Sequence, residues 1–164
     1  MDKYLAFKTF SNGDTYDGDI LNGKLHGQGT YTWFSSGNVY TGAWVDGAIT
    51  GQGTYNYANG NSYTGSFVNG IITGEGTYTW ANGDVYIGAF KDGNYNGQGT
   101  ITYVGGNSYT GSFVDGTASG GLSAGKIPYF VGTATVEKSK TGISTTDSLL
   151  YDSPKAWGSN KTYD

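Results

Sequence analysis

The sequence predicts an all-β protein: an elongated single-layer antiparallel β-meander of stacked hairpins, followed by an extended C-terminal tail. Three observations carry that prediction. A short pattern recurs five times, glycines sit at fixed places in it, and turn dipeptides divide each period in two. The copies open at Tyr16-Asp17-Gly18, Tyr40-Thr41-Gly42, Tyr63-Thr64-Gly65, Tyr86-Ile87-Gly88 and Tyr109-Thr110-Gly111, with the tyrosines 24, 23, 23 and 23 residues apart. A period of this length marks units that stack along one axis.

Each copy runs through Ile20, Trp44, Phe67, Phe90 or Phe113 to a turn glycine: Gly23, Gly47, Gly70, Gly93 or Gly116. In the first four copies two spaced glycines follow, Gly27/Gly29, Gly51/Gly53, Gly74/Gly76 and Gly97/Gly99. Asn59-Gly60 and Asn69-Gly70 frame the third copy. Asn-Gly is a strong hairpin signal because both residues tolerate positive φ. Asn22-Gly23, Asp46-Gly47, Asp92-Gly93 and Asp115-Gly116 repeat one turn; Asn12-Gly13, Ser36-Gly37, Asn82-Gly83 and Gly105-Gly106 repeat the other. Two turns per period predict two strands, each of roughly five or six residues.

Alternation along a strand places Tyr63, Gly65 and Phe67 on one face, together with Gly74, Gly76, Tyr78 and Trp80 of the following strand. Thr64, Ser66, Val68, Thr77 and Thr79 fall on the other. Glycine normally weakens a strand, so its regular use implies a need for space: a slot over which a ring from the next hairpin can lie. The predicted structural ladder is Tyr16, Gly18, Tyr40, Gly42, Trp44, Tyr63, Gly65, Phe67, Tyr86, Gly88, Phe90, Tyr109, Gly111 and Phe113.

The pattern Tyr-x-Gly-x-(Trp/Phe)-x-x-Gly, then Gly-x-Gly-x-Tyr, resembles MORN repeats, most closely in Asn82-Gly83-Asp84-Val85-Tyr86-Ile87-Gly88-Ala89-Phe90-Lys91-Asp92-Gly93. The resemblance covers about residues 12–120. It implies one β-hairpin per repeat, laid side by side as a twisted single-layer sheet. Departures fall at the ends, where Ile20 replaces the usual aromatic and Gly120-Gly121-Leu122 breaks the second glycine pair. Thr9-Phe10-Ser11-Asn12-Gly13-Asp14 matches Thr79-Trp80-Ala81-Asn82-Gly83-Asp84, so residues 1–11 read as an N-terminal half-repeat that caps the array of residues 12–123. Residues 124–136 keep strand-like composition and read as a C-terminal cap; residues 137–164 are polar and read as an extended tail.

Composition narrows the chemistry. There is no cysteine, hence neither disulfide nor thiolate site. No apolar run is long enough to span a membrane, and no signal peptide is evident. Within residues 12–120, Lys24 and Lys91 stand against eight acidic residues, a net charge of about −6. Such a surface repels phosphate backbones and anionic headgroups, which argues against nucleic acid and makes membrane docking unlikely. His26, the single histidine, reads as a residue of a hairpin connection, with no nucleophile beside it. Asp14-Thr15-Tyr16-Asp17-Gly18-Asp19 superficially suggests a calcium loop but lacks the closing glutamate, and the glycine pairs lack the lysine and helix of a phosphate loop. No catalytic residue, cofactor or metal site is assigned.

These readings point to a non-enzymatic scaffold or structural protein that binds other protein subunits, of its own or another kind. In enzymes that carry MORN repeats a separate catalytic domain accompanies them, and 164 residues leave no room for one. Thr/Asn/Gly/Ser richness without arginine suggests a bacteriophage virion component (tail, fibre or decoration), with virion or cytoplasm as the favoured location. Carbohydrate binding through exposed rings and lipid binding of the kind proposed for some MORN proteins are the alternatives. In the tail, Leu149, Leu150, Tyr151 and Trp157 are the candidate partner contacts.

Overall fold

Where every period carries two tight turns, each strand must pair with the next in chain order. The computed structural model describes residues 2–119. Its strands are β1 (Lys3–Thr9), β2 (Thr15–Leu21), β3 (Lys24–Thr32), β4 (Val39–Val45), β5 (Ala48–Asn56), β6 (Ser62–Val68), β7 (Ile71–Thr79), β8 (Val85–Lys91), β9 (Asn94–Thr102), β10 (Ser108–Val114) and β11 (Thr117–Ser119). They form one open eleven-stranded sheet, ordered as in the sequence and antiparallel throughout. At about 4.8 Å per strand, the sheet runs about 50 Å along its stacking axis. The cap assigned to residues 124–136 and the tail of residues 137–164 lie outside the described residues.

The two turns differ. At Asn22-Gly23, Asp46-Gly47, Asn69-Gly70, Asp92-Gly93 and Asp115-Gly116 both residues have positive φ, near 50° and 80°. That is the type I′ geometry whose twist matches paired strands. At the other turn the glycine alone is left-handed (Gly13, Gly37, Gly60, Gly83, Gly106), so the expectation of two positive-φ residues holds at one turn and fails at the second. The connection there has five residues between strands, six between β3 and β4, against two at the first turn, and in the first copy it is closed by Phe10 N–H to Asp14 O and Gly13 N–H to Phe10 O, both 2.9 Å. Its asparagine adopts ordinary φ and uses its side chain instead: Asn12, Asn59 and Asn82 Oδ1 accept from the N–H two residues on.

Strand lengths also depart from five or six residues. From β2 to β10 the strands alternate between seven and nine residues, because a bulge adds residues to the second strand of the β2–β3, β4–β5, β6–β7 and β8–β9 hairpins. Gly18 faces Gly29 and Ile20 faces Leu25, so Asp19 alone stands opposite His26, Gly27 and Gln28. The same shift recurs at Gly42/Trp44, Gly65/Phe67 and Gly88/Phe90. Gly27, Gly51, Gly74 and Gly97 sit inside these bulges with φ of 66°, 111°, 74° and 109°. The two glycines of each pair therefore do different work. The first bends the backbone, and the second makes room for a ring.

Both rims of the sheet are laced from one repeat to the next. On one, Gly47, Gly70, Gly93 and Gly116 donate their N–H to Leu25, Ile49, Ile72 and Tyr95 carbonyls at 2.8–3.0 Å. On the other, Asp14, Asn38, Asn61 and Asp84 each accept at Oδ1 from the N–H twenty residues on, at Phe34, Ala58, Ala81 and Val104, all at 2.9 Å. Asp14 and Asp84 are buried in doing so.

Gly65→Val should cost about 2 kcal/mol or more, because a Cβ there meets the Tyr63 hydroxyl and comes within 2.8 Å of the Gly76 Cα and the Glu75 carbonyl. Thr64→Val exchanges one β-former for another on the exposed face and loses only the Thr54 hydroxyl contact. Equal melting temperatures for the two variants would contradict the packing described. Asp84→Ala should lose about 1–3 kcal/mol by leaving the Val104 N–H without its acceptor. Asp84→Asn should lose less, since Asn38 and Asn61 hold the equivalent bond; thermal unfolding of the pair decides.

Candidate functional surface

A single-layer sheet has two faces, and this chain treats them oppositely. Tyr16, Tyr40, Tyr63 and Tyr86 lie flat and fully buried over Gly29, Gly53, Gly76 and Gly99, the glycine thirteen residues on in each case. The covering ring thus comes from the glycine's own hairpin and not from the next one, which corrects the expected direction of packing. The slot exists because β-strand partners face each other directly: Gly18 with Gly29, Gly42 with Gly53, Gly65 with Gly76 and Gly88 with Gly99. Each hydroxyl then donates to the carbonyl three residues on, at Asp19, Ala43, Ser66 and Ala89, over 2.8–3.2 Å.

Neighbouring repeats meet at the ring edges. Tyr40, Tyr63, Tyr86 and Tyr109 are T-shaped to Trp44, Phe67, Phe90 and Phe113 of their own repeats, at centroid distances of 5.2–5.6 Å. Tyr16, Tyr40, Tyr63 and Tyr86 are T-shaped to Trp44, Phe67, Phe90 and Phe113 of the following repeat, at 5.0–5.6 Å. The result is a continuous zigzag from Tyr16 to Tyr109, in which each contact is of the edge-to-face type that aromatic quadrupoles favour. All of the ladder residues named from the sequence fall on this face. Gly18, Gly42, Gly65 and Gly88 form its floor, and Gly111 lies beneath the Tyr109 hydroxyl.

A second zigzag runs beside the first through Phe10, Tyr31, Trp33, Tyr55, Tyr57, Tyr78 and Trp80, with centroids 4.5–6.1 Å apart. The ladder read from the sequence omits it, although Gly-x-Gly-x-Tyr recurs as a signal. The Asp/Asn rim bonds were also missed. Their signal is an Asp or Asn immediately after the turn glycine in every copy: Asp14, Asn38, Asn61, Asp84, Asn107. Tyr31 donates to the Asp14 carboxylate at 2.7 Å, and Asn61 to the Tyr78 hydroxyl at 2.9 Å, which tie this rim to the second zigzag.

The opposite face is open. Thr30–Thr41, Thr54–Thr64 and Thr100–Thr110 hydroxyls pair across strands at 2.8–3.0 Å, and Gln52 and Gln98 amides donate to Ser66 and Ser112. Ile87 replaces threonine in this row, and Val45, Val68 and Val114 line one margin; all four are about half exposed. By contrast Trp44 and Trp80 are 1% and 5% exposed, so neither offers a ring plane to a sugar. Among the described residues the exposed rings are Tyr4, Phe7 and Phe34.

His26 lies on β3 within the first bulge, not in the connection expected. Its Nδ1 accepts from the Asp46 N–H at 3.4 Å and lies 3.6 Å from the Asp46 carboxylate, one more link between adjacent repeats. Asp19 accepts from the Gln28 N–H, which, with Lys3 3.6 Å away, holds its carboxyl below the usual range. Among the described residues no group of His, Asp and Glu has the arrangement to hold a metal ion, and no helix is long and apolar enough to cross a membrane.

This architecture defines a class: hairpin-repeat sheets whose units are joined by rings and rims. The sequence profile of the MORN repeat matches residues 16–37, 40–62, 63–85 and 86–108, more than half of the chain, and the protein belongs to the MORN-repeat family. MORN repeats are a non-enzymatic repeat module that suggests protein interaction. No curated protein matches the sequence. Among solved structures, one similar chain is the SAS-4 (dCPAP) TCP domain of Drosophila melanogaster in complex with a proline-rich motif of Ana2 (dSTIL). The identity is 13% and the TM-score 0.45; the match covers 67% of this chain and 64% of that one.

Burial of the rings makes alkaline pH a probe of the ladder. Desolvation, with Asp19 and Asp17 adding repulsion at Tyr16, pushes the Tyr16 and Tyr63 hydroxyls up to about 12 and drives Tyr40, Tyr57 and Tyr86 further the same way. These raised values leave stability unchanged below pH about 10 and remove it as pH climbs towards 12, because the unfolded chain releases its phenolic protons first. A late, cooperative rise of tyrosinate absorbance should therefore coincide with loss of sheet circular dichroism. Complete ionisation near pH 10 with the sheet intact would contradict the burial.

Proposed function

We propose that this MORN-repeat chain is a non-enzymatic scaffold that binds other protein subunits within a larger assembly. The supporting observation is the division between faces. The ring face is consumed by the chain's own packing, while the other offers hydroxyl rows and the exposed Val45, Val68, Ile87 and Val114. A flat β-surface with scattered apolar groups suits protein contact, where a partner supplies the missing layer. Arginine-free, Thr/Asn/Gly/Ser-rich composition is what favours a virion tail, fibre or decoration structure as that assembly. Leu149, Leu150, Tyr151 and Trp157 supply a second set of contacts in this proposal.

Two variants test it. Val45→Lys/Val68→Lys/Val114→Lys should melt like the parent, since these side chains are half exposed, yet fail to enter the native assembly. Normal incorporation would rule out the open face as the contact. Truncation after Glu137 should leave the described sheet folded and weaken incorporation. Unchanged incorporation would remove the four tail residues from the proposal.

A further inference from the structure

We infer that β1 is a self-association edge, at which two copies of this chain pair antiparallel with Ala6 on the two-fold axis and join their sheets into one. The inference deepens the scaffold reading by naming a second copy as one of the subunits bound.

β1 is a full seven-residue strand with a single neighbour, β2, among the described residues. It carries the two largest apolar exposures of any strand, Leu5 at 78% and Phe7 at 68%, with Tyr4 at 50% beside them. Leu5 and Phe7 face Asp19 and Asp17 on the open side, while Tyr4, Ala6 and Lys8 face Ile20, Gly18 and Tyr16 on the ring side.

The occupant follows from what this edge refuses. β1 stands where β3, β5, β7 and β9 stand in the array: Ala6 faces Gly18 as Gly29 faces Gly42. An added repeat would have to lay its tyrosine over Ala6. A Cβ added at Gly29, Gly53, Gly76 or Gly99 runs into the ring of Tyr16, Tyr40, Tyr63 or Tyr86, and Ala6 already has that Cβ. Head-to-tail continuation is closed. A strand with no ring at this place fits, and β1 is such a strand.

It is also self-complementary. With Ala6 opposite Ala6, Leu5 of each copy faces Phe7 of the other, Tyr4 faces Lys8, and Lys3 faces Thr9. Four exposed apolar side chains then cluster on one side, with two lysine–tyrosine pairs on the other. Lysines on an edge usually discourage pairing. Here Lys3 lies 3.6 Å from Asp19 and Lys8 lies over the Phe10 ring, and no lysine meets a lysine. A slip of one residue in one direction sets Lys3 against Lys8 twice, and in the other it sets Leu5 against Lys8 twice, so only the Ala6-centred register keeps both Leu5–Phe7 pairs. One strand pair buries less than the about 800 Å² per partner of a stable interface, so the dimer is reversible and rises with concentration.

Directly opposed residues of antiparallel strands have Cα atoms about 4.5–5.5 Å apart, within disulfide range. The chain has no cysteine, so Ala6→Cys in the full-length protein is a direct probe. Mild oxidation should convert A6C to a covalent dimer and leave K3C monomeric, because only position 6 meets itself. Sedimentation of the parent should show a dimer that grows with concentration. L5K/F7K, which gathers four lysines at the interface, should stay monomeric with unchanged melting. A6C that cross-links no better than K3C, or a dimer that persists in L5K/F7K, overturns the inference. Either result would leave the open-face scaffold reading standing, since Val45, Val68 and Val114 are tested separately.

Discussion

The sheet depends on one contact: a tyrosine ring laid over a glycine of the facing strand. Paired glycines such as Gly42 and Gly53 remove two side chains from the sheet surface and let the Tyr40 ring sink against the backbone. Phenylalanine could fill that slot but could not donate to the Ala43 carbonyl. Once sunk, the ring presents edges to Trp44 on one side and Phe67 on the other. Packing within a repeat and coupling between repeats are thus two surfaces of the same ring. Stability must then spread along the array as a sum of nearest-neighbour terms, the behaviour expected of quasi-one-dimensional proteins.

Fold class and repeat boundaries were legible because they rest on local chemistry. Asn69-Gly70 is a left-handed pair wherever it occurs between strands, and a 23-residue recurrence leaves few topologies. What alternation could not reveal is the bulge. Strict period two puts Gly74 and Gly76 in one role, whereas Gly74 bends the chain with positive φ and Gly76 carries the Tyr63 ring. The source of the covering ring was misjudged for the same reason: register across a bulge is invisible to residue counting. Asp84 was legible only by comparison with Asp14, Asn38 and Asn61, because an isolated aspartate after a turn looks solvated. Its burial comes from a bond twenty residues away.

Departures from the repeat are matched by compensation nearby. Ile101 takes the place of Tyr31, Tyr55 and Tyr78 in the fourth repeat, which interrupts the second zigzag. The same repeat carries Tyr95 where the others carry Leu25, Ile49 and Ile72, and that ring reaches Trp80 at 5.9 Å and Tyr86 at 4.3 Å. Ile20 and Ala6 are departures of another kind. Both lie at the first hairpin, where no preceding ring arrives, and each fills with aliphatic volume a place that elsewhere holds an aromatic ring or the empty space beneath one.

The energetics of one layer explain why the two faces diverge. A strand sheet with both faces wet would bury too little apolar surface to offset the ordering of its backbone. This chain closes one face with its own rings, pressed so near the backbone that Tyr16, Tyr40, Tyr63 and Tyr86 show no exposed surface. That solution needs glycine under the rings and leaves no comparable device for the other side, whose threonine and valine rows are already ordered by strand pairing. A partner that covers those rows would meet side chains with little rotamer freedom left to lose. The features that order this thin sheet therefore also leave its second face with little side-chain freedom, which is what the proposed contact requires.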